Sequence, residues 1–186
     1  EDVLASVVGA PYDTMEEVIG IREGDYDDMG SLKDYGVSYR QVDLTDQNKI
    51  DYDSIIELLK SEKIKAVLIQ RSRGYDWRDS LTVEEIGNII KTVKHVSPET
   101  ICIVDNCYGI FVETKEPTEF GADLIVGSLI KNAGGSLALS GGYIAGTAEC
   151  VRKVGYRLTA PGLGKHVGAS LGMNRNMFQG LFMAPH

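Results

Sequence analysis

A lysine and an aspartate that each follow an apolar run are the residues of this sequence best suited to chemistry. Lys131 lies in "DLIVGSLIKNAGG", between an apolar run and several glycines, and Asp105 ends the run "TICIVD". A charged side chain at the end of a buried strand is costly unless it is paired or has a chemical role. Pyridoxal phosphate chemistry requires an amine that forms a Schiff base and an acid that faces the pyridinium nitrogen. Lys131 and Asp105 therefore indicate a pyridoxal phosphate site.

Two further residues have the chemistry to assist such a cofactor. Ser128 lies three residues before Lys131, where its hydroxyl could donate to the cofactor phosphate beside backbone N–H groups of the nearby glycines. Tyr108 lies three residues after Asp105, where its phenol could contact the ring hydroxyl oxygen. Partial burial and a neighbouring cation lower the pKa of a lysine, so we expect Lys131 to be poised as the neutral nucleophile.

Each of these residues also has a structural interpretation. An aspartate after a strand commonly caps a helix or begins a turn, and a lysine can extend its amine to water. Cys107 lies close to Asp105 but has no evident base, so we interpret it as a small buried residue. Residue types and spacing alone leave the catalytic and the structural interpretations open.

Three arginines lie in and after the segment that follows the run "KAVLIQ". Arg71 lies at the predicted carboxyl end of that strand, where its guanidinium could bind a cofactor or a substrate carboxylate in a bidentate manner. Arg73 and Arg78 follow on the same loop. The alternative, which we favour, is that these arginines form ion pairs on the surface or at a subunit interface.

Apolar runs of strand length alternate with helical patterns along the chain. Strands are predicted for "VLASVV", "VSYRQVDL", "KAVLIQ", "TICIVD", "ADLIVGSL" and "GGYIAG", and helices for "TMEEVIGI" and "DYDSIIELLKSE". Thr82 and Glu85 predict a capping box that opens another helix, which ends near Ser97. A last helix is predicted from His166 to Phe182. This alternation predicts an α/β fold with a mostly parallel sheet flanked by helices.

The predicted topology brings the candidate residues together. Ligands of open α/β sheets bind beyond the carboxyl ends of the strands. Asp105, the turn that leads to Lys131 and the loop that begins at Arg71 each follow a predicted strand. We therefore expect them to meet at one edge of the sheet.

The composition and net charge of the chain indicate which kinds of partner it is expected to bind. The chain has 186 residues, of which 43% are hydrophobic and 25% charged, and its net charge of −8 includes no basic block. These values are typical of a single globular domain with a small-molecule ligand, and they disfavour nucleic acid. No apolar run spans a bilayer and no signal layout is present, so a cytoplasmic location is expected. Three cysteines without paired spacing argue against a disulfide scaffold or a metal site.

Long strings of the sequence resemble one enzyme family. The strings are "GAPYDTMEEVIGI", "IQRSRGYDWRDSL", "VDNCYG", "GADLIVGSLIKNAGG", "GGYIAG", "RLTAPGLGKHVGASLG" and "NRNMFQGLFMAPH". Together they resemble the methionine gamma-lyase / aluminium resistance protein family, a branch of the fold-type I pyridoxal phosphate enzymes close to the cystathionine lyases. The resemblance implies that Lys131 binds the cofactor covalently, that Asp105 faces the pyridine nitrogen, and that Tyr108 and Ser128 support the cofactor.

The resemblance also implies an activity and a larger subunit. The implied reaction is beta or gamma elimination of a thiol from a sulfur amino acid, with Lys131 as Schiff-base nucleophile and general base. An aminotransferase with the same two groups, a cysteine desulfurase and a non-catalytic protein of metal tolerance remain alternatives. A fold-type I subunit is about twice this length, so we expect a partial large domain without the N-terminal segment and the C-terminal small domain. The full-length protein is expected to be a homodimer or a homotetramer.

Overall fold

The computed structural model of the chain describes residues 2–22, 30–158, 161–166, 168 and 171–184. Within these residues, six strands form one sheet: β1 (Val3–Ser6), β2 (Ser38–Gln41), β3 (Ala66–Gln70), β4 (Ile101–Asp105), β5 (Leu124–Ser128) and β6 (Gly142–Gly146). The described α-helices are α1 (Asp13–Ile19), α2 (Tyr52–Ser61), α3 (Val83–Val96), α4 (Ala148–Leu158) and α5 (Asn174–Met183). A short 3-10 turn at Asn132–Gly134 follows β5.

The sheet has the mostly parallel arrangement that the sequence predicts. Its strand order is β2-β1-β3-β4-β5-β6, and only the pairing of β5 with β6 is antiparallel. Asp105, the last residue of β4, is in register with Gln70 of β3 and Val126 of β5. The carboxyl ends of β1, β3, β4 and β5 therefore lie along one edge of the sheet, as expected.

Two amphipathic helices supply much of the core that supports this edge. α2 begins at the Asp51 cap, whose Oδ1 accepts a hydrogen bond from the backbone N of Ser54 at 3.0 Å. α3 begins with the predicted capping box, in which Thr82 and Glu85 exchange side-chain and backbone hydrogen bonds of 3.1 and 2.8 Å. The core side chains of these two helices are Ile55, Leu59, Ile86, Ile89, Ile90 and Val93. Each buried aliphatic side chain contributes about 1.5–3 kcal/mol, so the helices fix the sheet firmly.

The last third of the chain differs from the prediction in two ways. Helix α4 was not predicted, although Val151, Val154 and Leu158 recur at helical spacing in its sequence; none of its residues is buried. The predicted helix from His166 to Phe182 is too long at its start, since the described helix begins at Asn174. Leu171 and Gly172 have left-handed φ values of 51° and 78°, which an α-helix does not tolerate. Residues 167, 169 and 170 of the predicted helix lie outside the described residues.

The described part of the chain shows neither of two features that define other protein classes. None of its helices is long and apolar enough to cross a membrane. Nor do the described residues contain a group of three or more His, Cys, Asp or Glu side chains placed to hold a metal ion.

Candidate active site

Asp105 lies at the carboxyl end of β4 with only 5% of its surface exposed. Its Oδ1 accepts a hydrogen bond from the backbone N of Cys107 at 3.0 Å, which turns the chain sharply out of the strand. The next residue, Asn106, is fully buried. A carboxylate held in this way is available to a group at the edge of the sheet, and it has little contact with water.

Lys131 reaches the same edge from β5. The strand ends at Ser128, and the backbone O of Lys131 accepts a hydrogen bond from Gly134 N at 2.9 Å within the following 3-10 turn. The Lys131 Nζ atom lies 4.1 Å from the centroid of the Tyr108 ring. An ammonium group at this distance from an aromatic face is stabilised by a cation–π interaction. Lys131 and Tyr108 are thus in contact, which the sequence does not predict.

The protonation of Lys131 contradicts our expectation of a lowered pKa. Partial burial does lower the pKa of this amine, but the hydrogen bond to Tyr108 and the charges of Cys107, Tyr108 and Asp105 outweigh burial, and the net pKa is raised. The expectation was wrong because it counted a neighbouring cation where the structure has acidic and phenolic groups. The same interaction shows that Lys131 and Asp105 are close enough to affect each other electrostatically.

Tyr12 is a residue of the site that the sequence analysis missed. It lies in the loop after β1, and its backbone N donates to Gln70 Oε1 at 2.9 Å. Burial raises the pKa of its phenol, the negative charge of Asp105 raises it further, and Lys131 lowers it. An aromatic residue in the loop after the first strand, "GAPYD", was the available signal, since that loop lies at the carboxyl edge of the sheet.

Cys107 and Ser128 complete the immediate surroundings. Burial, followed by the charge of Asp105, raises the pKa of the half-buried Cys107 thiol to about 11, and the Ser128 backbone hydrogen-bonds this thiol. The thiol is therefore protonated at neutral pH, which agrees with a packing role. Ser128 belongs to the site by position, while a contact of its hydroxyl with a phosphate stays a prediction.

Arg71 is buried, and its guanidinium is bound by other groups of the protein. Its side chain is 5% exposed and its Nη2 donates to Glu113 Oε1 at 2.6 Å. Nη1 donates to Asn106 Oδ1 at 2.8 Å and to the Gly109 backbone O at 3.0 Å, and Nε donates to the Leu81 backbone O at 3.4 Å. The ion pair that we favoured for Arg71 is present, with Glu113, but its predicted surface position is wrong, because the guanidinium is buried and organises the segment after β4.

The network continues from Arg71 toward β6. Asn106 Nδ2 donates to Glu116 Oε2 at 2.9 Å and lies 3.2 Å from the Tyr143 hydroxyl. The Tyr143 hydroxyl in turn lies 3.4 Å from the Asn106 backbone O. Because Asn106 follows Asp105 directly, this network fixes the backbone from which the Asp105 carboxylate projects.

The other two arginines have different surroundings. Arg78 is 4% exposed, and its Nη2 donates to the backbone O atoms of Gln70 and Ser72 at 2.8 and 2.6 Å. A surface ion pair is therefore wrong for Arg78 as well, because backbone carbonyls of its own loop satisfy it. Arg73 is exposed and its guanidinium carbon lies 5.8 Å from the centroid of the Trp77 ring.

The arrangement suits a cofactor with an aldehyde and a protonated ring nitrogen. It offers an amine at Lys131 and a buried carboxylate at Asp105, whose charge raises the pKa of that amine. The Tyr108 ring lies against the Lys131 amine, and the charges of Asp105 and Lys131 both act on the pKa of the Tyr12 phenol. These are the groups that pyridoxal phosphate requires, and the structure brings together the residues that the sequence selected.

Comparison with known proteins agrees with this fold. The fold is that of part of the large domain of fold-type I pyridoxal phosphate enzymes, and it is shared by apo CalE6, a methionine gamma lyase from Micromonospora echinospora. That structure is 19% identical with a TM-score of 0.67, and the match covers 98% of this chain and 43% of that chain. The family model described as methionine gamma-lyase matches residues 1–186. The chain belongs to this family.

Other proteins have a higher sequence identity with this chain than CalE6 has. A carbon-sulfur lyase involved in aluminum resistance from Clostridium novyi NT is 51% identical with a TM-score of 0.92, over 100% of this chain and 43% of that chain. The uncharacterized protein YnbB of Bacillus subtilis is 49% identical over 185 residues, which are 100% of this chain and 43% of YnbB. A Lactobacillus delbrueckii protein is 48% identical over 95% of this chain and 56% of its own length. The chain spans about half the length of the curated relatives it matches.

Proposed function

We propose that this chain forms the cofactor-binding part of a pyridoxal phosphate-dependent carbon–sulfur lyase that acts on a sulfur amino acid of the cystathionine, methionine or cysteine type. The meeting of Lys131 and Asp105 at one edge of the sheet carries the proposal. Membership of the methionine gamma-lyase family and the 51% identity with the Clostridium novyi carbon-sulfur lyase support the choice of reaction.

Bound pyridoxal phosphate supplies a ring that withdraws electrons from the alpha carbon of an amino acid. In the proposed site, Lys131 Nζ would bind the cofactor aldehyde, and the same nitrogen would serve as the base toward the substrate's alpha proton. The buried carboxylate of Asp105 would face the ring nitrogen and favour its protonated form. Tyr108 and Ser128 would orient the cofactor through their hydroxyl groups, and Tyr12 would contact it from the loop after β1.

The raised pKa of Lys131 affects how the cofactor binds. Only the neutral amine attacks an aldehyde. Burial favours the neutral form of Lys131, but the hydrogen bond to Tyr108 and the nearby acidic groups favour the protonated form more strongly. Covalent binding therefore becomes faster as the pH rises toward the pKa of the amine.

Borohydride trapping tests the cofactor site. The full-length protein supplied with pyridoxal phosphate is reduced, and the modified lysine is located by peptide mass mapping. The expected result is a pyridoxyl adduct on Lys131 that is lost in Lys131→Ala. Lys115 is the matched control, because its Nζ also lies over an aromatic ring, 5.5 Å from the Phe120 centroid, but it does not belong to the turn after β5. Trapping at Lys115 or at scattered lysines, with Lys131 unmodified, refutes the proposed site.

Product analysis tests the reaction. Cystathionine, methionine and cysteine are supplied without any keto acid, and thiol, keto acid and ammonia are measured. A lyase releases all three products from at least one substrate, whereas an aminotransferase releases no ammonia and requires an acceptor. A protein that is trapped at Lys131 but forms none of these products would retain the cofactor assignment and lose the lyase assignment.

A further inference from the structure

The side chain of Asn132 joins the turn after β5 to the backbone of the segment after β4. Asn132 Nδ2 donates to the Tyr108 backbone O at 2.9 Å and lies 3.4 Å from the Ile110 backbone O, across 24 and 22 residues of sequence. Asn132 directly follows Lys131, and the Tyr108 ring lies 4.1 Å from Lys131 Nζ. Neighbouring residues of the turn thus contact both the ring and the backbone of Tyr108.

Successive carbonyl groups of the segment after β4 are held from opposite sides. The carbonyls of Tyr108 and Ile110 accept from Asn132, whereas the carbonyl between them, that of Gly109, accepts from Arg71 at 3.0 Å. The Arg71 side chain is buried, so it holds the segment on the protein side. Asn132 is exposed and reaches the segment from the side of the Lys131 turn.

The turn itself is supported from behind by α5. A Cβ atom built at Gly180 of α5 would collide with the backbone O of Gly134, and one built at Gly135 would collide with the backbone O of Gly180. Two backbones in such close contact leave the turn little room to move away from the sheet. Asn132 therefore connects two segments that are each supported from elsewhere in the fold.

From these contacts we propose that Asn132 is a positioning residue, which sets the placement of Lys131 against Tyr108 by bonding the Tyr108 and Ile110 carbonyls. The proposal rests on the proposed function, because the lysine that it places is the one that binds pyridoxal phosphate. Asn132 touches neither the cofactor aldehyde nor the reacting atoms in this role. It acts only through the backbone of the Tyr108 segment.

The test uses a variant of equal shape. Asn132→Asp keeps the side-chain size but replaces the donor with a carboxylate, which repels the two carbonyls. Asn88→Asp is the matched control, because Asn88 is exposed on α3 and the change in charge is the same. Asn132→Ala removes the donor without adding charge and keeps the test valid if the aspartate variant folds poorly.

Three quantities are measured on the full-length protein: the Kd for pyridoxal phosphate, the rate of trapping at Lys131, and the pH midpoint of the bound cofactor's absorbance change. Loss of one hydrogen bond of this kind weakens cofactor binding roughly 2- to 13-fold. In Asn132→Ala the pH midpoint moves to lower pH, because the Tyr108 hydrogen bond that raises the Lys131 pKa is loosened. The added carboxylate of Asn132→Asp raises the pKa of the neighbouring amine, so the pH midpoint is judged on Asn132→Ala alone. Thermal stability is recorded alongside.

The outcomes separate this inference from the proposed function. If wild-type protein is not trapped at Lys131, the proposed function fails before Asn132 is tested. If the wild type is trapped and both Asn132 variants match Asn88→Asp in affinity, rate and pH midpoint, the positioning role is overturned and the proposed function stands. A fall in thermal stability with an unchanged pH midpoint also overturns it, since that result describes a structural hydrogen bond only.

Discussion

Replacing Arg71 with methionine is the most demanding test of the network beneath the site. Methionine fills a similar apolar volume but donates no hydrogen bond. The substitution leaves Asn106 Oδ1 and the Gly109 carbonyl without the guanidinium, at positions that are buried. Glu113 is 37% exposed and still accepts from Val83 N at 2.9 Å, so its carboxylate recovers much of its solvation.

The expected loss of stability follows from these contacts. A buried polar atom without a partner costs about 1–3 kcal/mol, and removal of one partner of a buried ion pair costs about 3–5 kcal/mol. Because Glu113 remains partly solvated, the contributions do not add fully, and we expect Arg71→Met to lose about 3–5 kcal/mol. For a chain of this length, that loss lowers Tm by about 6–20 °C.

Thermal unfolding followed by circular dichroism measures this loss, with Arg73→Met as the control. Arg73 is exposed and contacts the Trp77 ring at 5.8 Å, an interaction of about 0.5–1 kcal/mol at the surface. Its substitution should lower Tm by about 1–4 °C. If Arg71→Met falls within the range of Arg73→Met, the guanidinium does not support the segment after β4 and the reasoning is refuted. Hydrogen exchange of residues 106–116 should show the same contrast locally.

Three further substitutions test the site. Burial lowers the pKa of Lys131 and the hydrogen bond to Tyr108 raises it, so Tyr108→Phe should shift covalent incorporation of pyridoxal phosphate to lower pH. Burial and then the charge of Asp105 raise the pKa of Cys107 to about 11, so Asp105→Asn should lower that pKa and speed alkylation of the thiol at mildly alkaline pH. A Cβ at Gly180 collides with the turn after Lys131, so Gly180→Ala should cost about 1–3 kcal/mol in urea unfolding and reduce the trapped fraction.

Each of these substitutions has a control and a contradicting outcome. Cys102 is buried apart from Asp105, so Asp105→Asn should leave its alkylation unchanged, and equal acceleration of both thiols would indicate general loosening. Gly155→Ala adds a Cβ that meets nothing within 4 Å, and it should not destabilise the protein. A Gly180→Ala variant as stable as Gly155→Ala would mean that α5 does not press on the turn. An unchanged or higher pH for incorporation in Tyr108→Phe would contradict the assigned hydrogen bond.

The site residues at the strand ends could be predicted from sequence because short, local sequence patterns determine where the strands end. Apolar runs identify β4 and β5, and the parallel arrangement brings the ends of those strands to one edge. Asp105 and Lys131 follow from these two facts without any knowledge of side-chain contacts. The capping box of Thr82 and Glu85 is equally local and is confirmed.

The contacts around these residues could not be predicted, because they join positions far apart in sequence. Arg71 bonds Asn106 and Gly109 across 35 and 38 residues, and no spacing rule distinguishes such an arginine from a surface arginine. The predicted direction of the Lys131 pKa shift was wrong for the same reason. The direction depends on Tyr108 and Cys107, which approach the Lys131 amine only in the folded protein. Helix α4 is a different case, because Val151, Val154 and Leu158 do recur at helical spacing and the prediction missed a signal that the sequence contains.

The segment after β4 shows how a loop can hold a reactive group in place. Its backbone carbonyls are bound from the core by Arg71 and from the lysine turn by Asn132, so the segment has little freedom relative to either strand. A catalytic amine and acid must keep their separation through a reaction, and side chains on rigid neighbours preserve that geometry better than unsupported loops. Asn132 is exposed and Arg71 is buried, so substitution at Asn132 should change the chemistry of Lys131 with little loss of stability, whereas substitution at Arg71 should affect both. A pair of variants with equal stability losses would contradict this division of roles.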